Sequence, residues 1–409
     1  MTKQAVKKGA GIRTSGLAAW KSKNGFTTKE EDKTEIKISN ANKPMSWITM
    51  PSAFQEATGL VGIPEGYVIS VLGHSNVGKT TLLNHAIVSA QRQGLIPVII
   101  DTENSFSFKY AQNMGFDATP IYGDVEVEDV DVDTGEITTR TETQIINWEG
   151  DFIYYNNHIL CERFGDIDYS KGVRTKTKRK IAVVEDVAAC INELLDAQDN
   201  GEIQQGFLFV WDSVGSIGCY KEYNSAGNVG KIGNAMWTAA AISSAFNVIV
   251  NDRIPSSRKV TSKYTNTFLY VNKVWMDSQS VMAGPPIMRT KGGNSLHYSC
   301  RLQILLGGQL TSGTKRLTAV SKGYTYGYGI ETKIKVLKNH LDAPWNIIRE
   351  GNMIATDLGF ISPDELDKYK KQHMSDILKE LNELSKGTVE IKAEDVVFKE
   401  EVSDNEMEQ

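Results

Sequence analysis

Cysteine, histidine and long apolar runs are all scarce in this chain of 409 residues. The four cysteines, Cys161, Cys190, Cys219 and Cys300, stand far apart and form no C-x-x-C pair. That argues against a disulfide framework and a zinc site, and fits reduced thiols in a cytosolic protein. The six histidines show no metal-ligand spacing. No apolar stretch reaches the length of a membrane span, and the amino terminus lacks the apolar centre of a signal peptide. No membrane partner is expected, and the expected location is the cytoplasm. Net charge is only −5, so the molecule is not a generic polycation.

Charge is nevertheless segregated. Residues 1–29 carry seven Lys or Arg and no acid, whereas residues 390–409 carry eight acids and two Lys. A basic head and an acidic tail suit a protein that handles nucleic acid and moderates its own access to it. Two solvated, disordered ends would look the same. The acid-rich stretch from Asp124 to Glu136 alternates with Val and has a Thr134-Gly135 turn, which predicts a solvent-facing hairpin. Its spacing does not fit a calcium loop. Lys171 to Lys180 holds six basic residues in ten and reads as a surface loop.

The richest stretch is Tyr67 to Thr81. A short apolar run leads into Gly73-His74-Ser75-Asn76-Val77-Gly78-Lys79-Thr80, a complete G-x-x-x-x-G-K-[ST] phosphate loop followed by Thr81. The apolar run reads as a buried strand. The following segment reads as a helix, with Leu82, Leu83, Ala86, Ile87 and Ala90 on one face. Loop N–H groups and the helix dipole can then hold a polyphosphate. Lys79 supplies charge to the phosphates, and the hydroxyl of Thr80 supplies a ligand for Mg²⁺.

Ile96 to Asp101 reads as a second parallel strand, which puts Glu103 on the ligand side of the sheet, within reach of a water near a γ-phosphate. The apolar run Phe207 to Trp211, ending in Asp212-Ser213, has the form of a strand that aims an acid at Mg²⁺. Residues 151–160 read as a further strand, Val183 to Ala197 and Asn234 to Val248 as helices, and Phe268 to Asn272 as a strand ending at Lys273. Residues 274–291 read as a long loop, Arg301 to Leu306 and Thr332 to Leu337 as strands, and Ser362 to Lys386 as a capped helix or helix pair. The expected organisation is a basic arm (1–45), an α/β core (46–350) with an insertion at 119–180, a helical region (351–387) and a disordered acidic tail (388–409).

In order, these pieces are GHSNVGKTT, IIDTENSFSFKYAQNMGFD, FLFVWDSVGS, LYVNK, GGNSLHYS and ETKIKVLKNHLDAPW. Over roughly residues 46–350 the chain resembles the RecA family of DNA strand-exchange ATPases, including the phage UvsX-type recombinases. The resemblance implies a P-loop ATPase core with a mostly parallel central sheet flanked by helices. It also implies ATP and Mg²⁺, helical filaments on single-stranded DNA, and pairing with homologous duplex DNA. Single-strand-binding and mediator proteins are further candidate partners.

By matching position, Glu103 resembles the residue that activates the attacking water. Tyr110 resembles the aromatic that stacks on adenine, and Asp212 the acid that binds Mg²⁺. Asn272 lies in the strand that senses the γ-phosphate. Gly227, Asn228 and Lys231 resemble one DNA-holding loop. Met282, Ile287, Arg289, Lys291, Gly292, Gly293 and Asn294 resemble a second, with apolar wedges beside phosphate-binding cations. Lys338 resembles a lysine that reaches a neighbouring subunit's ATP. Two positions depart from the family: Lys273 stands where glutamine is usual, and His340 where a second bridging lysine is usual. A RecA-fold hexameric helicase, or an ATP-gated DNA-binding structural or regulatory protein with weak hydrolysis, would share the same motifs.

Overall fold

The computed structural model describes residues 41–130, 137–224, 234–276, 288–290, 294–308, 312–341, 350–386 and 388–402. The chain divides into two compact units, the smaller made of Met1–Pro44 with Lys259–Lys263. Its described part is held by a 2.9 Å hydrogen bond from the Val260 N–H to the Ala41 carbonyl. All that follows concerns the larger unit.

The larger unit opens with β1 (Trp47–Thr49), helix α1 (Ser52–Thr58) and β2 (Gly62–Pro64). Next come β3 (Val68–Gly73), α2 (Lys79–Arg92), β4 (Ile96–Asp101) and α3 (Phe108–Asn113). A separate antiparallel hairpin follows, β5 (Thr119–Val130) with β6 (Ile137–Glu149). The chain returns through β7 (Ile153–Asn156) and α4 (Asn157–Phe164), then forms a small hairpin, β8 (Ile167–Asp168) with β9 (Val173–Arg174). Then come α5 (Val184–Asp199), β10 (Phe207–Asp212), α6 (Tyr220–Asn224), α7 (Asn234–Val248), β11 (Thr267–Met276), β12 (Met288–Thr290) and α8 (Asn294–Ser299). Last are β13 (Leu302–Leu306), β14 (Lys315–Ser321), β15 (Tyr324–Asn339), β16 (Glu350–Thr356), β17 (Gly359–Ile361), α9 (Leu366–Gln372), α10 (Met374–Leu384) and β18 (Val397–Val402).

One large sheet carries the order β17-β16-β15-β13-β3-β11-β10-β4-β7. From β13 to β7 every neighbouring pair is parallel, and β15, β16 and β17 extend the sheet antiparallel. The parallel block is apolar at nearly every position because both faces are covered. Ile69, Val71 and Val210 pack with Leu82, Leu83 and Ile87 of α2. Alternate residues, among them Phe209, Trp211 and Phe268, pack on the other face with Ile191 of α5 and Ile242 and Phe246 of α7. Trp211 stacks on Phe246 with ring centroids 5.2 Å apart. The fold is therefore the α/β arrangement expected, with a parallel central block and an antiparallel extension at one side.

The structure corrects several boundaries. Residues 151–160 are not one strand. The Asn156 side chain accepts the Ile159 N–H at 2.9 Å, which caps a helix and stops the strand. The strand before it, β7, lies beside β4 in the central sheet, so this part of the expected insertion is core. The stretch after Lys273 begins as strand, since β11 runs to Met276 and pairs with β12. Residues 351–356 and 359–361 belong to strands, not to a helical region. The tail is not wholly disordered either. β18 pairs with the edge of β14, with Phe398 against Tyr328 (5.5 Å) and the Lys370 ammonium 5.1 Å from the Phe398 ring. An open edge with unpaired N–H and C=O groups recruits such a strand when an aromatic anchors it.

This pairing yields a stability prediction. Truncation after Val402 should leave the melting temperature unchanged, whereas truncation after Asp395 should lower it by several degrees. Identical thermal melts for both truncations and the full chain would show that β18 contributes nothing.

Candidate nucleotide-binding site

The register of the parallel strands assembles the site. Gly73, at the end of β3, lies beside Lys273 of β11 on one side and Leu306 of β13 on the other. A Cβ at Gly73 would meet the Leu306 carbonyl oxygen at 2.6 Å, so this turn requires glycine. The loop then passes the half-buried His74, the exposed Ser75 and Asn76, and the buried Val77. It enters α2 through Gly78, whose φ of +88° again favours glycine. The Lys79 ammonium donates to the His74 carbonyl, so the lysine folds back over its own loop. Burial pushes Lys79 down to about 8, against the raising influence of Asp212 and Glu103.

β4 and β10 end side by side, with Asp101 opposite Asp212. The two acids differ in role. Asp101 is buried and consumed locally, accepting the N–H groups of Ser105 (3.1 Å) and Phe106 (2.8 Å) and the Tyr154 hydroxyl (3.2 Å). The Asp212 carboxylate has no such donors among the described residues. Burial first, and then Glu103, raise it to about 7, with Lys79 and Lys273 acting against them. Glu103 Oε1 accepts the Ser213 hydroxyl at 2.5 Å and lies 3.2 Å from the Lys273 ammonium. Thus Lys79, Glu103, Asp212 and Lys273 form one electrostatic cluster, and buried Asn272 adjoins Lys273 on β11.

Other expected site residues lie elsewhere or carry other contacts. The Tyr110 hydroxyl donates to the Thr356 carbonyl at 2.8 Å and is 2.9 Å from the Thr81 hydroxyl, tying α3 to α2 and β16. Lys338 is opposite Gln303, toward the amino end of the parallel block. Its ammonium donates to the carbonyls of His297 (3.0 Å) and Tyr298 (3.2 Å), at the end of α8. Arg289 lies in β12 opposite Trp275, and Asn294 opens α8. Gly227, Asn228, Lys231, Met282, Ile287, Lys291, Gly292 and Gly293 lie outside the described residues.

Three contributors are not apparent from the motifs. Ser213 holds Glu103. Thr102 joins β4 to β10, with its N–H on the Asp212 carbonyl (2.8 Å) and its hydroxyl accepting from Trp211 (3.0 Å) and Ser216 (2.6 Å). Asn84 lines a small cavity with Thr80, Asp101 and Asp212, and its buried side-chain amide has no protein partner among the described residues. A Ser directly after the strand-ending acid is visible in the sequence. The other two roles depend on packing between distant segments.

The donor set fits a magnesium polyphosphate. The loop backbone and Lys79 suit phosphate oxygens, while the Thr80 hydroxyl and the Asp212 carboxylate are hard oxygen ligands. Ionised Asp212 accepts no hydrogen bond among the described residues and has only Lys79 and Lys273 acting in its favour, a deficit of the kind a divalent cation would correct.

Stability should register that deficit. The folded pKa of Asp212 is raised above its ordinary 3.8, so the folded state binds the extra proton between about pH 4 and 7. Its contribution is fully present below pH 4 and lost as pH rises through 7. Asp212→Asn should therefore melt higher than wild type at pH 7.5 without metal or nucleotide, the gap closing toward pH 4. A gap that does not change with pH would show that Asp212 is not held in this way. Lys79 titrates near 8, above this window.

Residues 34–140 match the profile of the RecA N-terminal domain. Protein RecA of Desulforapulum autotrophicum is 25% identical over 299 residues, covering 72% of this chain and 61% of that protein. Protein RecA of Francisella philomiragia subsp. philomiragia is 27% identical over 301 residues, covering 72% and 58%. A shorter segment is 41% identical over 70 residues to Protein RecA of Aquifex aeolicus, 17% of this chain and 20% of that protein. The chain thus spans about three-fifths of the length of the relatives it matches over most of its own residues. With the ordered motifs and the α/β core, these matches make the chain similar to RecA proteins over most of its own length.

Proposed function

We propose that this protein is a DNA-dependent ATPase that forms filaments on single-stranded DNA and promotes pairing and strand exchange with a homologous duplex, in the cytoplasm. The observation that carries this reading is the convergence of Lys79, Glu103, Asp212 and Lys273 where the parallel strands end. Phosphoryl transfer to water requires mainly positioning and charge stabilisation, which such a cluster supplies. Bound Mg²⁺ would supply charge neutralisation between the phosphates. The chain's own contributions are distinct. Lys79 neutralises phosphate, Thr80 and Asp212 hold the metal, and Glu103 accepts the proton of the attacking water. Asn272 and Lys273 sense the terminal phosphate. Ser213 and Lys273 orient Glu103, since both meet the same oxygen.

Lys338 has a second role in this reading, reaching a neighbouring subunit's ATP as an arginine finger does. That requires its release from the α8 carbonyls. With His340 as the weaker partner, Lys273 carries more of the charge. Residues 227–231 and 282–294 supply the contacts to single-stranded DNA. Electron microscopy with single-stranded DNA and a non-hydrolysable ATP analogue tests the assembly. Helical filaments support a recombinase; closed rings would instead support a helicase.

Lys79→Ala should abolish ATP-dependent DNA binding while leaving the fold intact; unchanged affinity with ATP present contradicts the role of the loop. Glu103→Gln should bind ATP yet lose about 100-fold or more in turnover, the usual scale of a positioned base. Turnover within about twofold of wild type, ~0.4 kcal/mol of barrier, would remove Glu103 from that role. Mixing Glu103→Gln with Lys338→Ala on the same DNA should partly restore turnover. No recovery at any ratio, with filaments present, would place the action of Lys338 within its own subunit.

A further inference from the structure

The basic stretch Lys171 to Lys180 has no part in the nucleotide site, yet it is a built feature. Arg179 plants it: the guanidinium pairs with buried Asp186 at 2.6 Å and donates to the Phe164 carbonyl at 3.0 Å. The Thr175 hydroxyl donates to the Asp166 carbonyl (3.0 Å) and the Thr177 carbonyl (2.8 Å). The Lys178 ammonium donates to the Glu162 carbonyl at 2.5 Å. A charge run that served only solubility would need none of these anchors.

The outward charges are poorly compensated. Arg174 pairs with Asp166 (2.7 Å) and Lys171 with Asp168 (3.6 Å). Lys176, Lys178 and Lys180 are exposed and have no carboxylate partner among the described residues. The platform is also coupled to the rest of the molecule. The Arg179 guanidinium lies 5.4 Å from the Tyr220 ring, and Tyr169 meets Tyr220 edge-on at 5.6 Å. Tyr220 opens α6, whose end leads into residues 225–233.

We propose that Lys176, Lys178 and Lys180 form a binding site for the phosphate backbone of duplex DNA, beside the root of the segment expected to hold the single strand. This rests on the DNA-binding reading above. Duplex is favoured because the residues exposed between 171 and 181 include no aromatic side chain. Single-strand sites stack bases on aromatic platforms, whereas a duplex turns its bases inward and offers phosphates. Such contacts position DNA without reading sequence.

The test is the salt dependence of binding by the full chain, with the non-hydrolysable ATP analogue, on duplex and on single-stranded DNA. The variant Lys176→Gln/Lys180→Gln, which leaves the anchored Lys178 in place, should keep the wild-type melting temperature and DNA-free ATP turnover. On duplex, its slope of log K against log salt should be shallower by about 1 to 2, near 0.9 for each phosphate that is no longer neutralised. An unchanged duplex slope, in a wild type that does bind duplex, overturns the site and leaves the broader reading standing. A change on single strands alone overturns the choice of duplex. Wild-type slope with loss of self-association would assign the patch to an acidic segment of a second copy and overturn the proposal. Wild type that binds no DNA overturns both readings.

Discussion

The site depends on one electrostatic constraint: like and unlike charges are crowded where the parallel strands end, and protein groups alone do not balance them. Asp212 is pushed up to about 7 by burial and by Glu103, and Lys79 is pushed down to about 8 by burial. Burial is the main cause of both shifts, since water no longer solvates these charges well. In the proposed reading a magnesium polyphosphate would complete the balance, with metal for the acid and phosphate for the lysine. The strands do not allow the charges to separate, because register fixes Lys273 beside Gly73 and Asp212 beside Asp101.

Lys273 modifies this arrangement through its contact with Glu103. Where the family resemblance gives an uncharged glutamine, this ammonium lies 3.2 Å from Glu103. In this structure the acid is engaged by Lys273 and by the Ser213 hydroxyl. In the proposed reading, a phosphate arriving near Lys273 would compete for the same cation and so link nucleotide binding to release of Glu103. Lys338, meanwhile, holds the end of α8, immediately after the expected second DNA loop. An interface role for Lys338 would therefore also report on the position of that loop.

Local pattern made the motif residues legible in the sequence. Gly73 to Thr80 is contiguous, and a buried apolar run ending in Asp212 announces itself. The parallel direction of the central strands followed from helices alternating with strands, but their order did not, since β11 and β10 lie between β3 and β4. What escaped depends on contacts distant in sequence. Ser213 meets Glu103 across 110 positions, and Tyr110 meets Thr356 across 246. No periodicity encodes either contact. Asn156 ended a strand through one side-chain cap inside a stretch that reads as continuous β. The acidic composition of the tail concealed β18, because Phe398 supplies its anchor while Lys399, Glu400 and Glu401 after it are charged. Asp101 and Asp212 look alike as strand-ending acids. Only the turn at Ser105 and Phe106 shows that Asp101 is already satisfied.

Steady-state ATP turnover of the full chain, with and without single-stranded DNA at the same magnesium concentration, tests the central claim most directly. If the charge cluster is a nucleotide site whose output is coupled to DNA, turnover rises several-fold on adding single-stranded DNA, and Lys79→Ala abolishes it in both conditions. Turnover that is measurable, sensitive to Lys79→Ala and indifferent to DNA would contradict that coupling.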